Sequence, residues 1–271
     1  MSTEVKLPEM GDIDLLAETA QLASTIILEN GGETSRAEET ALILCRTAGW
    51  EETEVFALST GIILTVKHKD GRHQTSVIRI KNRSVNLFRV ERVNALSRDY
   101  AAGKLTLGEL NEKLHALKGS ILYSRLTVAL AVGISSAMFT LLFEERLNAV
   151  VLFDLFITFI GAFFAQYVCS SHRLRGTYQF TVTFLFSVII GILSALAVSL
   201  LGIGNLDVIL IGAITPLLPG LSFTNAIRDT VMGDLVSGTV RIVETLLIAV
   251  AIAAGIGTVL AVYVNVLGGV L

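Results

Sequence analysis

The chain has 271 residues, 21 basic and 24 acidic side chains, a formal net charge of −3 and a mean hydropathy of +0.68. That balance argues against a basic nucleic-acid binder. Two cysteines in different halves, Cys45 and Cys169, argue against an internal disulfide, and the chain has no CxxC or Cys/His cluster for zinc, so neither cofactor nor metal is expected.

The first 16 residues are acidic and lack the apolar core of a signal peptide, which predicts a head that stays in the cytosol. A helix is predicted over 12–30, with apolar Leu15, Leu16, Leu22, Ile26 and Ile27 and a stop at Gly31-Gly32. A second helix follows from about Ser35 to Thr47 and ends at Gly49. Strand-type runs come next at 55–59, 61–67 and 75–80, with a further short run at 85–90. Asp70-Gly71 is a hairpin turn signal. Helices are predicted over 92–102 and 107–117, the latter started at Thr106. The expected head is an α+β domain over residues 1–120, large enough for its own core.

Beyond Leu126 the solvent changes. Of 45 charged side chains, 33 precede Leu126 and only 12 follow, and the last lysine is Lys118. Stretches of about 20 apolar residues read as membrane spans. Five are expected within a transmembrane domain over 121–271, at 126–143, 147–170, 178–201, 206–223 and 240–267. The fold class is thus a membrane α-helical bundle with an N-terminal cytosolic α+β domain. Basic residues cluster at Lys113, Lys118 and Arg125, at Arg173 and Arg175, and at Arg228 and Arg241, all on one side of such a bundle. This predicts a multi-pass protein of the inner or plasma membrane, with its N-terminus cytoplasmic and its C-terminus outside. The apolar run at 235–267 is too long for one span, so its first turns either protrude or lie along the interface. Small-residue pairs Ala129/Gly133, Gly191/Ala195 and Ala253/Gly257 have helix-packing spacing.

Charges at membrane depth cost free energy and mark candidate sites. Span four is broken at Thr215-Pro216 and Pro219-Gly220, and polar Thr224, Asn225, Arg228 and Asp229 follow. Broken spans of this type bind solutes in transporters. Asp234, Arg241 and Glu244 are spaced to share one helix face as a charge lock or a proton relay. Asp154 lies inside span two, one turn from Thr158. It is either an interface carboxylate or a titratable group in a permeation path. In the head, Thr34, Arg36 and Glu38 open the second helix, where free N–H groups suit a ligand or a simple cap.

Two segments resemble the threonine/serine exporter (ThrE) family. One is Gly31-Gly32-Glu33-Thr34-Ser35-Arg36-Ala37-Glu38-Glu39-Thr40. The other runs from Pro219-Gly220-Leu221-Ser222-Phe223-Thr224-Asn225-Ala226-Ile227-Arg228-Asp229 through Gly233-Asp234-Leu235-Val236-Ser237-Gly238 to Arg241 and Glu244. The resemblance covers nearly the whole chain. It implies export of a small hydrophilic metabolite by proton antiport, with threonine or serine as substrate. The close of the chain after span five looks like the larger, YjjP-like half of a split exporter, which implies a small multi-span YjjB-like partner and leaves a higher oligomer open. Split pairs of that type are linked to succinate, so a dicarboxylate stands as the alternative substrate. A membrane-tethered hydrolase head competes with this reading, although Ser59, His68 and Glu38 form no recognisable triad. A regulatory head that senses metabolite is compatible with export.

Overall fold

The computed structural model describes residues 10–50, 52–67, 73–81, 83–120, 123–144, 147–171 and 178–267. The Asp70-Gly71 turn, His68, and the basic residues Arg173 and Arg175 lie outside them. The described residues are mostly helical, with one three-stranded sheet. They form two compact units: Met1–Ser120 with Leu221–Ile242, and Ile121–Gly220 with Val243–Leu271.

In the first unit, α1 (Met10–Glu29) buries Leu16, Ala20, Ala23 and Ile27, spaced to share one face. Its end is set by the glycine pair. Gly31 takes φ +84°, and the Gly32 N–H donates to the Ile27 carbonyl at 2.9 Å, a Schellman closure. A β-carbon on Gly32 would lie 2.3 Å from the Ile27 side chain and 2.9 Å from its carbonyl oxygen, so the turn needs glycine there. Helix α2 (Thr34–Thr47) follows at once.

The sheet is an antiparallel meander of β1 (Thr53–Leu58), β2 (Gly61–Lys67) and β3 (His73–Arg79). Central β2 alternates, burying Ile62, Leu64 and Val66. The run at 85–90 is not a strand. Asn86 accepts a hydrogen bond from the Arg89 N–H and caps α3 (Leu87–Ala101), five residues earlier than periodicity suggests. Helix α4 (Leu107–Gly119) starts in a capping box of Thr106 and Glu109 and buries Leu110 and Leu114. The unit is completed by α9 (Gly220–Val231), all but its first residue, and by the opening turns of α10 (Leu235–Leu267).

The second unit holds α5 (Arg125–Leu142), α6 (Ala149–Cys169), α7 (Gln179–Leu201), α8 (Leu206–Ile214) and most of α10. Helices α5, α6, α7 and α10 are each long and apolar enough to cross a membrane, and α8 with α9 makes a fifth candidate only as a broken pair. Span four is therefore not one helix. After α8 the chain takes a 3-10 turn at Thr215–Leu217, and Pro219 precedes α9. Pro216 and Pro219 lack the N–H that continuation requires.

Burial in this unit is that of a lipid-solvated bundle. Its core is small, with Ala129, Ala162, Ala165 and Gly191 inside, while Leu126, Leu130, Ile134, Met138 and Leu142 form an exposed stripe along α5. The pairs Ala129/Gly133 and Gly191/Ala195 are buried as expected. Ala253 and Gly257 instead face outward, and Gly255 makes the close approach, its would-be β-carbon 2.7 Å from Ser187. A four-residue repeat of small side chains does not reveal which side of a helix meets its neighbour.

Replacing Gly32 with alanine should destabilise the first unit by about 1–3 kcal/mol, since Ile27 is already fully packed. Thermal unfolding of the purified full chain in detergent checks this; an unchanged midpoint would show that the turn tolerates a β-carbon.

Candidate functional site

The Schellman turn leaves the carbonyls of Gly31 and Gly32 without helix partners. Residues almost 200 positions later supply them. Asn225 Nδ2 donates to the Gly31 oxygen at 2.8 Å, and Arg241 Nη2 donates to the Gly32 oxygen at 2.8 Å. Asp229, one turn after Asn225 on α9, accepts from the Thr34 hydroxyl at 3.1 Å and from the Thr34 backbone N–H, so it stands at the N-terminus of α2. Arg241 Nε lies 3.3 Å from Asp229 Oδ2, with the two side chains 8% and 2% exposed. Ser237 Oγ accepts from the Ser59 N–H at 3.2 Å. The two sequence motifs thus interlock within one unit as a clasp.

Its outer rim is an exposed charge cluster. Glu33 receives Arg228 at 2.7 Å and Arg36 at 3.9 Å. Both arginines also line a cleft of about 380 Å³ shared with Glu39, Asn94 and Arg98. Glu38 turns the other way and accepts from the Ala57 N–H at 2.8 Å. Burial pushes the Glu38 carboxyl above its ordinary value of 4.5, the Ala57 N–H pulls it back, and the charge of Asp234 adds to the rise. Asp234 caps α10 by accepting from the Ser237 N–H at 3.1 Å. Thr224 is exposed on α9, and Glu244 is half-buried on α10 beyond the first unit.

The second unit carries a different polar group. Asp154 on α6 is fully buried, and its carboxylate accepts from the Asn205 N–H at 3.1 and 3.2 Å. The turn that presents this N–H needs Gly204: its φ is +103°, and a β-carbon would sit 2.7 Å from Asp154. Thr158, one turn along α6, receives a hydrogen bond from Thr140 Oγ1 of α5 at 3.0 Å. Ser136, one turn from Thr140, donates at 3.4 Å to the Ala213 carbonyl, the residue before the last of α8. All four side chains are buried. They form a file of polar groups that ends near the helix break, where the Thr215 hydroxyl donates to the Ile211 carbonyl at 2.7 Å and Pro216, Pro219 and Gly220 interrupt the helix.

Sequence reasoning singled out Asp154 and the break but missed Ser136 and Thr140, which carry no local signal. It also missed the receptor role of Gly31, Gly32 and Glu33, although all three stand in the head motif. Among the described residues no group of His, Cys, Asp and Glu is arranged to hold a metal.

Apolar helices that expose their large side chains and bury hydroxyls and a carboxylate define a multi-pass membrane protein. The family comparison goes further. The model of ThrE, "Putative threonine/serine exporter", matches residues 18–263, and the chain belongs to this family of transport proteins. No curated protein and no solved structure matches it.

Two outcomes follow for the clasp. Replacing Arg241 with methionine strands a buried Asp229 carboxylate and should cost about 3–5 kcal/mol, whereas Asp229→Leu combined with Arg241→Met should recover much of that loss. A double-mutant cycle on unfolding midpoints reads the coupling, and additive losses would deny it. For Glu38, the folded protein binds the proton more tightly than the unfolded chain. Its contribution to stability is therefore present below the ordinary value of 4.5 and lost as pH rises through the raised folded value. Glu38→Gln should remove that decline, so the variant gains on the parent as pH rises; parallel pH profiles would contradict it.

Proposed function

We infer that this chain is the larger subunit of a secondary exporter that moves a small hydrophilic metabolite, threonine or serine first, outward in exchange for protons. The observation that carries this reading is Asp154, a fully buried carboxylate in an apolar span with a file of hydroxyls running from it to a broken helix. A carboxylate at membrane depth is costly even with the Asn205 N–H bound to it, and such residues mark ion and substrate pathways.

We assign the pathway to Asp154, Thr158, Thr140, Ser136 and the break at Thr215, Pro216, Pro219 and Gly220. Asn225, Arg228, Asp229 and Arg241 then serve the clasp, with Asp234 as a helix cap, so they fasten α9 and the start of α10 to the head and do not line the path. Thr34 and Arg36 belong to the same coupling region.

Topology supports the reading. Helix α9 is bonded to the head, which leaves residues 206–217 as the stretch of the broken pair available for a crossing. Twelve helical residues cover about 18 Å against about 30 Å of hydrocarbon. A short, broken crossing requires polar or wet surroundings for its freed carbonyls, which suits a solute cavity. Arg228 and Arg241 sit with head residues, which favours a cytoplasmic head and an outer C-terminus under the positive-inside rule. The outward-facing Ala253/Gly257 stripe of α10 offers a close-packing surface for a second, YjjB-like membrane chain. Succinate remains the alternative substrate for such a pair.

The test is uptake by inside-out vesicles carrying this chain with and without the small partner, using labelled threonine, serine and succinate across an imposed pH gradient. Gradient-driven transport is expected, and Asp154→Asn should abolish it while insertion is retained. Full transport by that variant would remove Asp154 from the mechanism.

A further inference from the structure

The cleft on the first unit has no part in the transport path assigned above. Arg36 of α2, Arg98 of α3 and Arg228 of α9 converge on it from three elements, with Glu33, Glu39 and Asn94 between them. Its volume, about 380 Å³, suits a metabolite and is too small for a macromolecular surface.

The lining already shows what it grips. Glu33 is held by Arg228 and faced by Arg36, so these guanidinium groups stand in position for a carboxylate. Glu33, Ser35 and Arg36 at the head of α2 also line the cleft, and that helix end favours negative charge. Arg98 adds a third cation from the last turn of α3. Three arginines against two glutamates leave one surplus positive charge. That excess is small for a phosphate or a dicarboxylate, which Glu33 and Glu39 would repel. It fits a ligand that brings its own cation, for which Glu39 is the exposed acceptor.

We propose that this cleft is a regulatory site for a small zwitterionic amino acid, its carboxylate taken by Arg36 and Arg98 and its ammonium by Glu39. The bound carboxylate competes with Glu33 for Arg36. Glu33 is then left to Arg228, on the helix that Asn225 and Asp229 fasten to the Gly31–Thr34 segment. Occupancy is thereby communicated to α9 and the opening turns of α10. The site stands independently of the export reading.

The experiment is calorimetry on the full chain in detergent, titrated with L-threonine, L-serine, succinate and inorganic phosphate up to about 10 mM. Four proteins are compared: parent, Arg98→Ala, Glu39→Gln and Asp154→Asn. The expected result is binding of the zwitterions, weakened about tenfold or more by Arg98→Ala and by Glu39→Gln and retained by Asp154→Asn. Arg98 and Glu39 are exposed and make no contact of the clasp, so their loss should leave the fold intact; unfolding midpoints verify this. No zwitterion binding by the parent overturns the proposal. So does binding lost only in Asp154→Asn, which would place the ligand in the transport path. Binding of succinate or phosphate alone, sensitive to Arg98, overturns the ligand class.

Discussion

A buried ion pair anchors the first unit. Asp229 and Arg241 are almost wholly withdrawn from water, a state made tolerable by their mutual pairing and by the groups that bond to them. Thr34 donates its hydroxyl and backbone N–H to the carboxylate, and Gly32 offers its carbonyl to the guanidinium. That carbonyl is available because a two-glycine turn ended α1 and left it bare. Remove the turn and the arginine loses its acceptor. Remove either charge and the other is stranded.

The same pair gives α10 two employments. Its opening turns carry Ser237 and Arg241 into the first unit, and the residues from Val243 onward belong to the second. About 25 residues then remain for the membrane, roughly 37 Å of helix, which accounts for an apolar run that is too long for one span. The exposed arginines beside the clasp are where a solute gains leverage on it.

The second unit obeys a different balance. With hydrocarbon outside, large aliphatic side chains gain little by turning inward, and Ala129, Ala162, Ala165 and Gly191 sit inside beside Phe186 and Ile190, where they let backbones approach. The interior is then the one place where Asp154, Thr158, Thr140 and Ser136 can satisfy one another or a backbone group. Their file exists because lipid offers no hydrogen bond.

Much of this was legible in the chain. Hydropathy placed α5, α6, α7 and α10 to within a residue or two, apart from the early start of α10, because a span is a local property of about 20 consecutive side chains. Thr106 and the Gly31-Gly32 stop were readable for the same reason, since caps depend on near neighbours. Val85–Val90 was misread as extended because its apolar run is too short to show a period, and the Asn86 cap decided it. Both polar motifs stood out, yet residues 221–242 read as part of a membrane pathway. Nothing in a linear pattern says that Asn225 must meet Gly31, or that Asp229 must meet Thr34, across nearly 200 residues. Composition and period fixed which segments are apolar and which are capped. Only the tertiary structure decided which buried charge finds which bare carbonyl, because that choice depends on desolvation and on distances no local stretch contains.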